Sequence, residues 1–311
     1  MPDTARLHLR RPRMDDAEAF AAINADPEVA RFVNWTGPLS RAESDLMLRK
    51  TIDHWDDHGF GWWMADLRET GELLGFIGLA RPFALAALAD DVEVGWRLAR
   101  AHWGRGLATE GAREAVRFAF AELALERLVC IIDRDNERSL GVARNLGFEH
   151  WRDMEHPRWP RGVQVYTLTR DAAVRARLSP STRAFMEAFG PAYSGRDIEA
   201  LEQLLDPDVE IIDHRILGWE PMRGRAAIRE GIMAQLELSE GAPDVSGDLI
   251  DATPDGNAYL SRDVWSSRTT LGGGDVEHHY FVIDVIRDGR LLREEMFDDE
   301  AQARAAFAAL G

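Results

Sequence analysis

The stretch Trp103-Gly104-Arg105-Gly106-Leu107-Ala108-Thr109-Glu110 decides the fold of the first half of this chain. An apolar run, Val92 to Leu98, precedes it, and an amphipathic segment, Glu110 to Leu123, follows it. That order predicts a strand, a glycine turn and a helix. Glycine has no Cβ, so Gly104 and Gly106 permit a tight turn and a close approach by a ligand. The helix behind them starts with unpaired N–H groups and the positive end of its dipole, a setting that suits a phosphate or pyrophosphate.

A second motif lies about 30 residues downstream, the distance that a helix plus a strand requires. Asn136-Glu137-Arg138-Ser139, closing at Leu146-Gly147-Phe148, follows the short apolar strand Leu128 to Ile132. Together the two motifs resemble the GNAT family of acetyl-CoA-dependent N-acetyltransferases, in wording most like its ribosomal-protein-alanine branch. The resemblance covers residues 5–170. It implies an α/β mixed sheet with helices on both faces and acetyl-CoA as co-substrate, its pyrophosphate wrapped by the turn Gly104, Arg105, Gly106, Leu107, Ala108 and Thr109. It also implies that Asn136 contacts the pantetheine arm. Trp96 and Leu98, on the entering strand, and Arg144, two helical turns beyond Asn136 and in reach of a 3′-phosphate, complete the expected cofactor set.

The chain departs from the family pattern twice. Ala101 stands where the family opens its turn with Gln or Arg, and Ala143 stands where a Tyr often protonates the leaving thiolate. Backbone amides do most of the phosphate binding, so the first change is expected to cost little. The second leaves the general acid unassigned, with Ser139, one turn after Asn136, as the candidate that the resembling branch suggests. Its plainer role is to satisfy backbone amides at a helix start.

Amine acetylation needs a neutral amine, a route for its proton and a polarised thioester carbonyl. Glu93 is the best candidate base, because a charged residue in mid-strand needs a reason and an acceptor beside the acetyl group supplies one. Strand alternation puts Glu93 on one face with Gly95 and Arg97, and Val92, Val94 and Trp96 on the other. The competing reading is a solvated or ion-paired carboxylate. Eight of the ten tryptophans, among them Trp35, Trp55, Trp62, Trp63 and Trp96, lie in this half. Most are expected in the core. Adjacent Trp62 and Trp63 must face opposite ways, so one of them is a candidate wall of the acceptor groove.

At 311 residues the chain is long for one domain and comfortable for two. Residues 1–170 carry 23 Lys+Arg against 27 Asp+Glu, and residues 171–311 carry 14 against 27. Neither half has a basic stripe, which argues against nucleic acid. No apolar run is long enough to span a bilayer. Cys130, the single cysteine, sits in an apolar run, reads as a buried small hydrophobe and forms no intramolecular disulfide. A cytoplasmic location is the expectation.

A polar connector at 173–181, containing Pro180, separates a first domain over 1–172 from a second over 182–311. Helical patterns at 182–189, 198–205 and after Gly224 precede strands at 247–253, 256–270, 276–287 and 290–297, with one turn at Gly272-Gly273-Gly274. Helices followed by a long-stranded meander indicate a separate α+β cone. This half resembles the SnoaL-like group of the nuclear transport factor 2-like superfamily. The superfamily includes ketosteroid isomerases, and on that resemblance Asp213 falls near the first acid position and Asp284 near the second. The phenol expected on the first helix is missing, since Ala188 or Phe189 stands there. His214, Trp219 and Trp265 complete the expected cavity. His214, His278 and His279 match no metal-ligand spacing, and no metal is expected.

The sequence therefore predicts an N-acetyltransferase acting by direct transfer to an amine, a small molecule in preference to a protein N-terminus, with a homodimer left open. Two alternatives stand beside it. One is a CoA- or ligand-binding shell without turnover. The other places an isomerase, hydrolase or cyclase activity in the second domain.

Overall fold

The computed structural model describes residues 2–32, 36–82, 85–156, 159–216, 218–237, 239–269 and 274–310. Trp35 and the turn residues Gly272 and Gly273 lie outside the described residues. The chain divides into two compact units, Met1–Arg170 and Asp171–Gly311.

The first unit runs β1 (Leu7–Arg10), α1 (Ala17–Asn24), α2 (Pro27–Ala30), α3 (Arg41–His58), β2 (Trp62–Leu67), β3 (Leu73–Ala80), β4 (Glu93–Leu98), α4 (Leu107–Ala121), β5 (Arg127–Ile132), α5 (Glu137–Asn145), β6 (Glu149–His156) and β7 (Trp159–Thr169). Local chemistry sets several boundaries. Ser40 and Glu43 form a capping box at the start of α3, and Gly59 ends that helix in the left-handed region at φ 72°. The strands form one sheet in the order β1-β2-β3-β4-β5-β7-β6. Successive residues of β3 show that both faces are covered. Phe76 packs with Phe20 and Leu48 of α1 and α3, whereas Ile77 meets Gly111 of α4 so closely that a Cβ there would lie 2.5 Å from it.

Strands β4 and β5 are parallel and share one register pair, Glu93 with Val129. Beyond that pair they part, leaving a V that opens at their carboxyl ends. The N-termini of α4 and α5 lie at the same ends, the side of an open α/β sheet where ligands bind.

The second unit contains α6 (Arg170–Arg175, its first residue belonging to the first unit), α7 (Pro180–Ser194), α8 (Ile198–Gln203), β8 (Leu205–Asp213), β9 (Met222–Arg223), α9 (Arg225–Glu237), β10 (Ser239–Ala252), β11 (Ala258–Thr269), β12 (Asp275–Arg287), β13 (Arg290–Phe297) and α10 (Glu300–Ala308). The stretch expected as a polar connector is structured. It carries the end of α6, with Val174 and Leu178 in the second unit's core, and Ser179 caps α7 ahead of Pro180. The sheet order is β10-β11-β12-β13-β8-β9. One face packs on α10 through Leu260, Ile283, Phe297, Ala303 and Phe307. The other lines a cavity bounded by α7 and α9.

Candidate active site

The glycine turn holds both of its glycines in the left-handed region, Gly104 at φ 72° and Gly106 at φ 75°. Only residues without a Cβ penalty sit there readily, which accounts for the motif on backbone grounds alone. Gly106 is also the N-cap of α4, and no side chain among the described residues caps that helix. The amides at its start therefore point into the turn without a capping partner. Glu110 braces the turn from behind by accepting Arg6 Nε at 2.6 Å and the Arg6 amide at 2.7 Å, while Arg6 Nη1 donates to the Arg105 carbonyl at 2.8 Å. Leu98 and Leu107 are buried side chains, 4% and 1% exposed, so only their backbones are available to a ligand. Gly104, Arg105 and Gly106 are exposed, and Ala108 and Thr109 are half-buried.

Arg138, which the sequence reading passed over, brings a guanidinium to the turn by stacking 5.0 Å over the Trp103 ring. Its signal was available in the spacing, since it lies in the first turn of the helix that follows Asn136. Arg144 is exposed and lies 3.8 Å from Glu137.

Asn136 is the N-cap of α5, and its Oδ1 accepts the Ser139 amide at 3.1 Å. Ser139 in turn accepts a hydrogen bond from Trp96 Nε1 at 3.3 Å, which ties α5 to β4 across the V. With its oxygen accepting from the indole, the Ser139 hydroxyl proton is the one left to donate. Ala143 is completely buried.

Glu93 stands where β4 and β5 begin to part. Burial pushes its carboxyl up to about 8. Gly95 and Arg97 share its face, and the Trp62 indole lies over Gly95, its Nε1 3.6 Å from where a Cβ would be. That Nε1 is buried without a hydrogen-bond partner among the described residues. Trp62 also stacks on Phe76 with centroids 4.8 Å apart, whereas Trp63 faces α4 and meets Phe118 edge-on at 5.3 Å. Arg97 donates to Asn24 Oδ1 at 2.5 Å, and Asn24 Nδ2 donates to Ser44 at 3.0 Å. Burial lowers the Arg97 guanidinium to about 10. A carboxyl, an indole N–H and a guanidinium thus border one patch on the α1/α3 face of the sheet. Cys130 is buried, and burial first, then the nearby Glu93, raises its thiol well above the ordinary range, which makes it a poor nucleophile.

In the second unit the structure corrects the expected cavity at two residues. Asp213 is tied up: Arg215 donates to its two oxygens at 2.8 and 2.7 Å, and the Trp219 amide donates at 3.1 Å. Burial alone would raise this carboxyl, but those hydrogen bonds outweigh it and hold it below its ordinary value. An anion so committed is a fastener for the 213–219 loop, not a base. His214, the residue just past the end of β8, turns to the opposite face. There it stacks on Phe297 at 4.6 Å and contacts Glu295 at 2.8 Å. Trp219, Trp265 and Asp284 do line the cavity. The sequence reading missed Tyr259, Asp263 and Glu294 on the same wall. A polar residue at every second or fourth strand position was the available signal. Among the described residues no group of three or more His, Cys, Asp or Glu side chains is arranged to hold a metal.

Comparison with known proteins agrees with this division. Residues 6–149 match the model for an acetyltransferase (GNAT) domain, and residues 182–294 match the model for a SnoaL-like domain. The chain is 30% identical to the uncharacterized N-acetyltransferase YoaA of Bacillus subtilis over 147 residues, 47% of this chain and 81% of that protein. It is 29% identical to the FsC-acetyl coenzyme A-N(2)-transacetylase of Aspergillus fumigatus over 195 residues, 58% of this chain and 81% of that one. Among solved structures, an acetyltransferase from Agrobacterium tumefaciens is 31% identical, with a TM-score of 0.47, covering 54% of this chain and 94% of its own.

Proposed function

This chain belongs to the GNAT family of acetyltransferases, and on that premise we propose that its first domain acetylates a small-molecule amine by direct transfer, with Glu93 taking the amine proton. The observation that carries the reading is the position of Glu93 at the vertex of the V between β4 and β5.

The residues present fit acetyl-CoA. The uncapped start of α4 and the two left-handed glycines offer amides to a pyrophosphate, and Arg138 adds positive charge nearby. The V leaves β4 edge groups beyond Glu93 free of β5, so an extended chain has backbone groups to pair with. The thioester supplies an activated acyl carbon when bound. Everything else falls to the chain. Glu93 takes the proton as the amine attacks, Trp62 and Arg97 orient the acceptor, and the Ser139 hydroxyl donates toward the departing sulfur. Ser139 is held for that task by Trp96 and by its capped amide. Glu93, with its carboxyl at about 8, is a general base whose carboxylate form grows through the mildly alkaline range.

A small molecule suits the patch beside Glu93 because its polar groups are few and mostly buried, so they reward a compact ligand that pairs each of them. The test is thiol release from acetyl-CoA by the full chain against small primary amines and against short peptides with free N-termini. Release with small amines supports the reading. Release with peptides alone overturns the acceptor class, and acetyl-CoA binding without release from either set indicates a shell without turnover.

A further inference from the structure

The second domain encloses a cavity of about 710 Å³. That is room for a small organic molecule and far more than an ion needs. One wall is aromatic: Phe185, Phe189 and Tyr193 follow one another along α7 with centroids 5.5 and 5.8 Å apart. Trp265 on β11 faces them, and its Nε1 donates to the Tyr193 hydroxyl at 3.2 Å.

Strand alternation brings three carboxyls into the same space, Asp263 from β11, Asp284 from β12 and Glu294 from β13. Asp284 and Glu294 are direct cross-strand partners. Two acids placed so destabilise a sheet unless something compensates. The protein compensates little. Tyr259 donates to Asp284 Oδ2 at 2.6 Å, but Asp284 Oδ1 is buried without a partner among the described residues, in a residue only 8% exposed. Arg215, on the cavity wall, is already held by both oxygens of Asp213 and lies 4.9 Å over the Tyr280 ring.

We propose that this cavity binds an amphiphilic organic amine, its ammonium between Asp284 and Glu294 and its apolar body against the aromatic wall of α7. An ammonium brings the donors that Asp284 Oδ1 lacks and relieves the repulsion between the paired acids. Aromatic faces add to its attraction. Burial, then the neighbouring acids, pushes Asp284 well above the usual carboxylate range and Glu294 up to about 7. Burial likewise raises Asp263 to about 6. A cation arriving beside these groups favours their ionised forms, so uptake releases protons. The groups facing the pair are Asp263 and Tyr259 from β11, Tyr280 from β12, Tyr193 from α7, and the Arg215–Asp213 couple. The inference stands on the second domain alone and does not require that acetyl transfer occur.

The test is calorimetry on the full chain with phenethylamine, tryptamine and decylamine, each beside its N-acetyl counterpart, in two buffers of different ionisation enthalpy. At least one amine should bind tenfold or more tightly than its amide, with net proton release. Glu294→Gln and Asp284→Asn should each remove most of that preference, and Glu93→Gln should leave it unchanged. Should Asp284→Asn fail to fold by circular dichroism, Glu294→Gln carries the comparison. Equal binding of amine and amide, binding of none of the three amines, or a preference that survives Glu294→Gln would overturn the proposal. A preference lost in Glu93→Gln would also overturn it, by moving the amine to the first domain.

Discussion

Glu93 and Val129 are aligned at the single register position that β4 and β5 share, and the Val129 amide donates to the Val92 carbonyl at 3.0 Å beside it. The side chain of greatest interest is therefore anchored by sheet pairing on one side and borders a gap on the other. That placement gives a half-buried carboxyl at the edge of an opening, the setting that the proposed proton transfer requires.

Replacing this carboxyl by an amide removes the proposed base while keeping its shape. Glu93→Gln should lower kcat on the order of 100-fold at pH 8.5. The wild-type rate should rise with pH through an inflection near 8, the value to which burial pushes Glu93. The mutant should lack that inflection. A wild-type profile flat between pH 7 and 9 would make Glu93 structural.

The same shift has a stability consequence of definite sign. A carboxyl whose folded value lies near 8, against an ordinary 4.5, supports the fold fully below the ordinary value and loses that support as pH rises through the folded one. Glu93→Gln should thus raise Tm relative to the wild type by a few degrees at pH 9, with little difference at pH 4. Thermal unfolding at the two pH values checks the sign.

At the turn, Gly106→Val should weaken acetyl-CoA binding roughly tenfold or more, about 1.4 kcal/mol. The cause lies in the backbone. A Cβ at Gly106 would meet only Arg6 Nη2 at 3.5 Å, but φ 75° is poorly available to a β-branched residue. Straightening that residue moves the first amides of α4. Calorimetry showing unchanged affinity in the folded variant would reject the turn as the pyrophosphate site.

Ser139→Ala deletes the acceptor for Trp96 Nε1 and leaves the Asn136 cap on the residue 139 amide in place. The expected result is a fall in kcat of about tenfold with KM for acetyl-CoA nearly unchanged, because the proposed role of the hydroxyl is to donate toward the departing sulfur. A rise in KM alone would mean that Ser139 only shapes the groove.

In the second domain, Asp213→Asn leaves the Arg215 guanidinium without its counter-ion, a loss on the order of 3 kcal/mol for a pair whose acid side chain is 1% exposed. Hydrogen bonds hold the Asp213 carboxyl below its ordinary 3.8, so its contribution is present above that pH and disappears on further acidification. Denaturant unfolding should show a large deficit at pH 7 that closes as the pH falls through the lowered range of this carboxyl. A mutant as stable as the wild type at pH 7 would mean that the 213–219 loop is held by other contacts.

The sequence by itself determined what depends on near neighbours along the chain. The strand–turn–helix around Gly104 and Gly106 was legible because the need for φ above zero is a property of single residues. The start of α3 is written in Ser40 and Glu43, because a capping box joins residues only three apart. The split of Trp62 and Trp63 between sheet faces followed from the two-residue period of a strand. The tertiary structure alone decided what depends on which strands meet. The resemblance put Asp284 in the cavity, but only pairing placed Tyr259 and Glu294 beside it, each from a neighbouring strand one turn away along the chain. The same holds for the parting of β4 from β5 after one residue pair, and for Asp213, whose charge is spent on Arg215 by the bend of the loop after β8. The C-terminal helix α10 went unread for a related reason. Its stripe is built on Ala303 and Phe307, and so small a stripe is amphipathic only against the strand face that receives it.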